Sequence, residues 1–255
     1  MFAKMKSRKY LVFLVLSLFA LFFLLPMYVL VMTSLKSFAE VSVQTMWDLP
    51  RNLSIRGFVT ALGKLAPNLL NSFYLVIPAT LLSAMLGSIN GYVLSHWKFK
   101  GADTLFAILL FGMFIPYQSV LFPLVRFLQT IGLYGSIPGL ILVHVVYGIP
   151  ITTLMFRNYY TEVPKALTEA AKVDGANILS IYRYIFFPIS IPSFVVVFIW
   201  QFTNIWNEFL FAVTVTSRPE NQPITVALTN LAGSQVVEWN VQMSGAIITA
   251  LPTLI

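Results

Sequence analysis

The chain has 255 residues, of which 58% are hydrophobic and only 10% charged, and its net charge is +7 at pH 7. Soluble globular chains carry about a quarter charged residues, so this composition argues against an ordinary soluble domain and indicates a chain whose solvent is lipid. The lack of cysteine excludes disulfides and thiol chemistry. Two histidines without a His/Cys cluster give no pattern typical of a metal site, so we expect none.

Six apolar stretches follow one another along the chain, and a helix needs roughly 20 residues to cross a bilayer. We therefore predict a single all-helical, multi-pass membrane domain over residues 1–255 with six transmembrane helices. The last stretch is too short to cross unless the natural chain continues, so we expect that span to be truncated. The predicted spans are 10–32, 71–94, 105–127, 137–157, 185–210 and 241–255.

The basic residues indicate how the chain is oriented. Lys4, Lys6, Arg8 and Lys9 precede the first apolar stretch, and Lys and Arg favour the cytoplasmic side of a membrane. We therefore predict a cytoplasmic N-terminus. A net charge of +7 could also indicate nucleic-acid binding, but the basic residues lie beside apolar spans, so we prefer the positive-inside rule as their cause and expect no nucleic-acid partner.

A polar segment, residues 162–188, lies between the fourth and fifth predicted spans. Pro164 suits the first position of a helix, and Gly175 ends that helix because glycine adopts the left-handed cap at little cost. Asn177 can cap a second short helix. The pattern predicts two short helices with small residues on one face, and such a unit can dock into a groove of another protein. On spacing alone, an ordinary capped amphipathic loop remains the alternative.

The same segment resembles a known motif. Glu169-Ala170-Ala171, Asp174-Gly175-Ala176 and Pro188 are similar to the EAA loop of ABC-importer permeases of bacteria. Over nearly all its length the chain resembles the sugar branch of that family, in particular the smaller permease of the maltose-type systems, and the stretches 32–37, 114–124 and 206–209 share in that resemblance. The implied fold is that of a type I importer permease in the cell inner membrane.

The resemblance implies that the loop couples this chain to a separate ATPase. The residues that it assigns to ATPase coupling are Leu167, Glu169, Ala170, Ala171, Asp174, Gly175, Ala176 and Pro188. The chain itself contains no G-x-x-x-x-G-K-[ST] phosphate-binding motif, so we expect no cofactor here and ATP with Mg²⁺ on the partner ATPase subunits. We also find no catalytic constellation of side chains, and we expect a non-catalytic subunit.

Polar side chains in the predicted fifth span are candidates for the translocation path. Gln201, Asn204 and Glu208 are spaced by three and four residues, so they share one face of a helix. A carboxylate in a span is costly and usually faces a cavity or a polar partner, although bonds to a neighbouring helix would explain these residues equally well. Gln118 in the third span is a weaker candidate. In the maltose-type systems the partner permease is thought to hold most sugar contacts.

The predicted outer loop, residues 211–240, is rich in Pro and Asn from residue 217 onward, which favours irregular exposed backbone. The resemblance implies contact there with an extracytoplasmic sugar-binding protein, and Gly233, Ser234 and Gln235 are the candidate contact residues. A plain connector is the alternative, since long loops are often but not always functional.

We therefore expect a permease of a bacterial carbohydrate importer that works with a second homologous permease, two ATPase subunits and a soluble binding protein. The overall resemblance favours a glucose- or mannose-like monosaccharide. The alternatives are an importer for another small polar solute, a stand-alone secondary transporter or channel, and a membrane enzyme. A secondary transporter would need a charged pathway of its own, and an enzyme would need clustered catalytic groups.

Overall fold

The computed structural model describes residues 2–97, 99–233 and 237–254, with side chains from residue 9 onward. Over these ranges the regular elements are helices and there is no strand, which confirms the predicted all-helical fold. Short 3₁₀ turns lie at Phe38–Glu40, Gly112–Phe114 and Pro219–Asn221, and a π-helical segment lies at Tyr182–Phe186. The helices are α1 (Phe2–Ser34), α2 (Arg56–His96), α3 (Ala102–Phe111), α4 (Tyr117–Thr130), α5 (Ile137–Thr161), α6 (Lys165–Val173), α7 (Ile178–Ile181), α8 (Phe187–Ile189), α9 (Ile191–Asn207), α10 (Leu210–Val215), α11 (Ile224–Leu231) and α12 (Trp239–Leu254).

Among the described residues, three helices are long and apolar enough to cross a membrane: Lys9–Ser34 within α1, the whole of α2, and α5. Two further stretches reach that length and composition only as pairs of helices joined at a sharp bend, which brings the possible crossings to five. The predicted spans 105–127 and 185–210 fall on these bent pairs. Neither of them is a single helix, which corrects the expectation from the sequence.

The first bend measures 99° and separates Ala102–Phe114 from α4. Its cause is Pro116, because the ring of a proline disfavours helical backbone at the residue before it. Ile115 accordingly has extended angles, φ −72° and ψ 120°. The chain restarts as a helix at Tyr117, directly after the proline.

The second bend measures 74° and separates Ile178–Ile189 from α9. Pro188 and Pro192 flank it, and each removes a backbone donor from the helical ladder. Ser190 lies at the break with φ −89° and ψ 2°. The predicted span also ends early, because α9 stops at Asn207 rather than continuing to residue 210.

The predicted outer loop is more ordered than its composition indicates. It contains α11, whose Ile224 and Val226 are buried, and the preceding turn is held by side-chain amides. Asn68 donates to the carbonyls of Pro219, at 3.0 Å, and Gln222, at 2.8 Å. Irregular exposed backbone was therefore the wrong expectation for much of this segment, because buried side chains and buried amide donors fix it.

The described residues divide into two compact units. The first comprises residues 1–66 and 228–255, in which α1 and α12 pack together. Ser244 Oγ donates to the carbonyl of Ser34 at 3.3 Å, and a Cβ on Gly57 would lie 2.9 Å from the Asn240 carbonyl oxygen. Lys36 is buried and donates to the Thr45 carbonyl at 2.5 Å.

The second unit comprises residues 67–227 and contains both candidate sites. Its helices α2 and α5 approach closely through small residues, as membrane helices often do. A Cβ on Gly87 would overlap Thr152, and one on Gly91 would lie 2.7 Å from the backbone nitrogen of Arg157. Thr152 Oγ1 also donates to the Ser83 carbonyl at 3.0 Å. The resulting Ser83-x-x-x-Gly87-x-x-x-Gly91 face was readable in the sequence but is not among the predicted features.

We expect Gly91→Ala to destabilise the chain by about 1–3 kcal/mol, because the added methyl group overpacks the contact with α5. Gly63→Ala on the same helix is the control, since no atom lies within 4 Å of a Cβ built there. The measurement is the thermal unfolding midpoint of the purified protein in detergent. Equal midpoints for the two variants would contradict the close approach of α2 and α5.

Candidate functional site

Helix α6 ends in a hydrogen-bonded cap centred on Gly175. Gly175 has φ +80°, the left-handed conformation that only glycine adopts without steric cost. Its N–H donates to the Lys172 carbonyl at 3.0 Å, and the Ala176 N–H donates to the Ala171 carbonyl at 2.9 Å. These two bonds form a complete Schellman motif, so the sequence-based expectation for Gly175 matches the geometry.

The other two boundaries of this segment are also set by local chemistry. Asn177 Oδ1 accepts a hydrogen bond from the Ser180 N–H at 2.9 Å and caps α7, as its residue type indicates. Pro164 lies one position earlier than expected. It is the residue before Lys165, the first helical residue, and has φ −59° and ψ 128°.

The predicted coupling residues do not share one environment. Leu167, Glu169, Ala170, Asp174, Gly175 and Pro188 are exposed. Ala171 and Ala176 are half-buried and pack against the chain's own aromatic core. Part of the surface of each alanine is therefore turned toward the chain's own core, and their contact with a partner stays a prediction.

Two exposed apolar residues of the segment are not among the predicted coupling residues. Val173 is 88% exposed and Leu179 is 70% exposed. Together with Leu167, they give residues 162–188 an apolar surface that the described residues of the chain leave uncovered. Val173 follows the charged residues of α6, and Leu179 lies among other apolar residues, so only their apolar character marked them in the sequence.

A buried network of hydroxyl groups fixes this segment to α2 and α5. Ser88 Oγ lies 2.6 Å from the Tyr160 hydroxyl and 2.9 Å from the Tyr182 hydroxyl. Tyr160 in turn donates to Ser190 Oγ at 3.0 Å. The Tyr92 hydroxyl adds a bond to the Ile178 carbonyl at 3.0 Å. Since buried hydroxyls that are fully paired rigidify their surroundings, the segment is held as a rigid unit.

Aromatic packing reinforces the same attachment. The ring of Phe186 lies 4.7 Å from Tyr92 and 4.4 Å from His96, measured between ring centroids. Lys172 of α6 places its ammonium 4.3 Å from the centre of the Trp97 ring, a cation–π contact. Beside it, a cavity of about 440 Å³ opens between the end of α2 and α6.

A second cavity, of about 360 Å³, lies among α5, α9 and the turn that follows α9. Gln201, Asn204 and Glu208 all line it, so the sequence spacing correctly grouped them. Gln201 is buried, and its side-chain amide lies against Gly148, where a Cβ would overlap it. His144 and Trp200 also line this cavity, and neither was among the predicted residues.

The position of Glu208 differs from the prediction. It is not a helical residue but the C-cap of α9, with φ −70° and ψ 128°. Its carboxylate accepts hydrogen bonds from the N–H groups of Phe211, at 2.8 Å, and Ala212, at 3.2 Å. Glu208 therefore caps the start of α10, where the helix dipole stabilises a negative charge, while the same side chain faces the cavity.

The remaining predicted residues lie elsewhere. Gln118 is exposed on α4 and does not line the cavity, although its neighbour Tyr117 does. Gly233 lies in a turn after α11, where its N–H donates to the Asn230 carbonyl at 3.1 Å. Ser234 and Gln235 lie outside the described residues.

Apolar helices of membrane-spanning length, a cavity between α5 and α9 that contains polar side chains, and a rigidly held segment with exposed apolar side chains are the features expected of a membrane transport subunit. Residues 79–255 match the family described as binding-protein-dependent transport system inner membrane component. The chain belongs to this family. The membership confirms the predictions of an importer permease and of a non-catalytic subunit, and it implies a substrate-binding protein and an ATPase as partners.

Individual relatives agree with this family. A probable ABC transporter permease of Pyrococcus horikoshii is 56% identical over 151 residues, an alignment that covers 59% of this chain and 55% of that protein. A xylose/arabinose import permease of Haloferax volcanii is 36% identical over 92% of this chain and 83% of its own length. The fold resembles a chain of a bacterial ABC transporter involved in import of the acidic polysaccharide alginate, with a TM-score of 0.83, 19% identity and coverage of 98% and 93% of the two chains.

We expect Tyr160→Phe to loosen residues 165–189, because it removes the hydroxyl that links Ser88 to Ser190 at a cost of about 1–2 kcal/mol. The measurement is amide hydrogen exchange, which should become faster in α7 and in Tyr182–Phe186. Tyr184→Phe is the matched control, since Tyr184 is 73% exposed. Unchanged exchange in Tyr160→Phe would show that the hydroxyl network does not hold the segment.

Proposed function

We propose that this chain is a permease subunit of an ATP-driven sugar importer. The observation that carries the proposal is the structure of residues 162–188. Hydrogen bonds and aromatic packing hold this segment rigidly to α2 and α5, and apolar side chains are exposed on its outer surface. The Haloferax relative, a xylose/arabinose import permease similar over most of this chain, supports a sugar as the solute. The proposed assembly has a second homologous permease, two ATPase subunits and an extracytoplasmic sugar-binding protein, and the N-terminus of this chain is cytoplasmic.

In the proposed mechanism, α6 and α7 form the part that the ATPase moves. Leu167, Val173 and Leu179 enter an apolar groove of the ATPase, and burial of each such side chain contributes about 1.5–3 kcal/mol. Glu169 and Asp174 make polar contacts at the edge of that groove. Ala170 and Gly175 permit close approach because they carry little or no side chain. ATP with Mg²⁺ binds to the ATPase subunits and supplies the energy for the movement.

The hydroxyl network then transmits that movement into the membrane helices. A displacement of α7 acts on α2 through Tyr92, which donates to the Ile178 carbonyl. It acts on α5 through the hydroxyls of Tyr182 and Ser88, which link the segment to Tyr160. The same network reaches the first residues of α9 through Ser190. Helix α9 carries Gln201 and Asn204 into the polar cavity, so ATPase closure and the translocation path share one set of helices.

The path proposed here runs past Gln201, Asn204 and Glu208, with Gln118 as a more distant contributor. The binding protein would contact Gly233, in the turn after α11, and Ser234 and Gln235, which follow it in the sequence. A related importer for another small polar solute would use the same parts, so the choice of a sugar rests on the Haloferax relative, a xylose/arabinose import permease, and on the amide side chains of Gln201 and Asn204 in the cavity.

The test of the proposal is whether the ATPase of the same genome co-purifies with this chain. We expect Gly175→Val to reduce the retained ATPase at least tenfold, because valine at φ +80° distorts the cap of α6 at a cost above about 1–2 kcal/mol. Gly101→Val is a matched control, since Gly101 also has positive φ and no atom within 4 Å of an added Cβ, but lies before α3.

If the ATPase binds the Gly175 variant as well as it binds the natural chain, docking through this segment is wrong. If the natural chain never retains an ATPase yet takes up solute when an ion gradient is the only source of energy, it is a stand-alone secondary transporter. Loss of binding in both glycine variants, with normal membrane insertion, would mean that the contact extends to the turn at Gly101.

A further inference from the structure

We propose that the cavity between the end of α2 and α6 binds a phosphate group, carried by a membrane phospholipid or by a soluble phosphate compound. We call this site the α2–α6 cavity. It is lined by residues 95–97 at the end of α2 and by polar side chains of α6. The inference does not depend on the proposed function, because it concerns the place where α6 meets α2 rather than the apolar surface offered to an ATPase.

Three buried polar atoms without a hydrogen-bond partner belong to the lining of this one cavity. Among the described residues, seven buried side-chain atoms lack such a partner, and His96, Trp97 and Thr168 supply three of them. The Tyr92 hydroxyl interacts with Trp97 and the Val163 carbonyl with His96, but neither contact has the geometry of a hydrogen bond. Because a buried polar group without a partner costs free energy, a cluster of three indicates an occupant that completes them.

Thr168 is the most deeply buried of the three. It is 4% exposed, and its hydroxyl has no partner among the described residues. A threonine in a helix commonly donates to a carbonyl three or four residues earlier, as Thr152 does to the Gly148 carbonyl at 2.9 Å. Since Thr168 makes no such bond, its hydroxyl is left for a group in the cavity.

The unpaired atoms favour an occupant that accepts hydrogen bonds. The indole N–H of Trp97 can only donate, and the hydroxyl of Thr168 can donate as well. Ser95 Oγ lies 2.9 Å from His96 Nδ1 and fixes that ring, so Nε2 offers a third donor when it carries the proton. A phosphate has at least three acceptor oxygens, one more than a carboxylate, so it suits donors that converge from both sides of the cavity.

Two lysines of α6 favour a negative charge in the same place. Lys165 and Lys172 line the cavity, and neither ammonium has a carboxylate within 4 Å among the described residues. Lys172 is positioned by Trp97, whose ring centre lies 4.3 Å from its ammonium. Glu169 also belongs to the lining, so with a neutral histidine the two ammonium groups exceed the carboxylates by one.

The position of the cavity along α2 makes a phospholipid a suitable source of the phosphate. The predicted span ends at residue 94, directly before residues 95–97, so the cavity lies close to the level of the lipid headgroups. Tryptophan is enriched at that level, and basic pockets between membrane helices bind phospholipid headgroups. A soluble phosphate would reach the same groups from water, because Lys165 and Lys172 are exposed.

A bound phosphate would add a link between α6 and α2. The hydroxyl network attaches Tyr182 and the carbonyl of Ile178 to α2, and both residues follow α6 in the chain. Helix α6 itself contacts the end of α2 through Lys172 and Trp97. A phosphate that accepts from both Trp97 and Thr168 would join the two helices a second time, so its binding would hold α6 more firmly.

The test measures equilibrium binding to the purified full chain in a detergent that contains no phosphate. The probes are phosphatidylglycerol, a diacylglycerol with the same acyl chains, and inorganic phosphate. We expect phosphatidylglycerol to bind at least tenfold more tightly than diacylglycerol if a lipid is the source. Binding of inorganic phosphate, with displacement of any bound lipid, would identify the soluble source instead.

Three substitutions test the lining. We expect Thr168→Val and Lys172→Gln each to weaken binding of the phosphate probe about tenfold, as loss of a hydrogen bond to a charged group does. Thr168→Val should leave the chain without ligand at least as stable to heat, because valine has a similar shape and no unpaired hydroxyl. Glu169→Gln should tighten binding, because it removes a like charge.

Lys100→Gln is the matched control, because Lys100 is exposed and follows the end of α2 but does not line the cavity. If Lys100→Gln and Lys172→Gln weaken binding equally, the attraction comes from general surface charge and the site is wrong. The site is also wrong if neither phosphatidylglycerol nor inorganic phosphate binds, or if Thr168→Val binds as tightly as the natural chain.

Discussion

The close approach of α2 and α5 is the constraint on which both candidate sites depend. Gly87 and Gly91 leave no room for a side chain at this contact, and Thr152 bonds to the backbone of α2. Helix α5 therefore has a fixed position, and it carries Tyr160 near one end and His144 sixteen residues before it, about 24 Å away at 1.5 Å per residue. A rigid helix that connects the segment of residues 162–188 to the polar cavity is the simplest physical link between them.

Helix α9 provides a parallel link of a different kind. Its backbone bends by 74° from the preceding helix at Ser190, between two prolines that each remove a donor from the helical ladder. Side chains strengthen the connection at this bend, because Tyr160 donates to Ser190 and the ring of Phe194 packs against Phe156, at 4.5 Å between centroids. The two helices that line the cavity are thus fastened to each other at the end nearest to the segment of residues 162–188.

Features set by local chemistry could be predicted from the sequence, and features set by tertiary packing could not. Gly175 and Asn177 act on residues within one turn of the chain, so their capping roles follow from residue type alone. The inward orientation of Ala171 and Ala176 depends on aromatic rings from distant segments. The end of α9 before Glu208 could not be predicted either, because no proline or glycine marks it in the sequence. In the sequence, His144 is only a histidine in an apolar stretch. Its place in the cavity is recognised from its proximity to Glu208, which lies 64 positions later.

Glu208 combines a capping role in the fold with a position in the wall of the cavity. A carboxylate in a membrane protein is costly unless fixed dipoles replace water around it. The N–H groups of Phe211 and Ala212 do so at the start of α10, and they occupy only part of its capacity to accept hydrogen bonds. The remaining lone pairs face a cavity without a basic side chain among its described lining residues. A group with a hydrogen-bond donor that enters the cavity could occupy these lone pairs, so a residue that the fold requires at the start of α10 also sets the chemistry of the cavity wall.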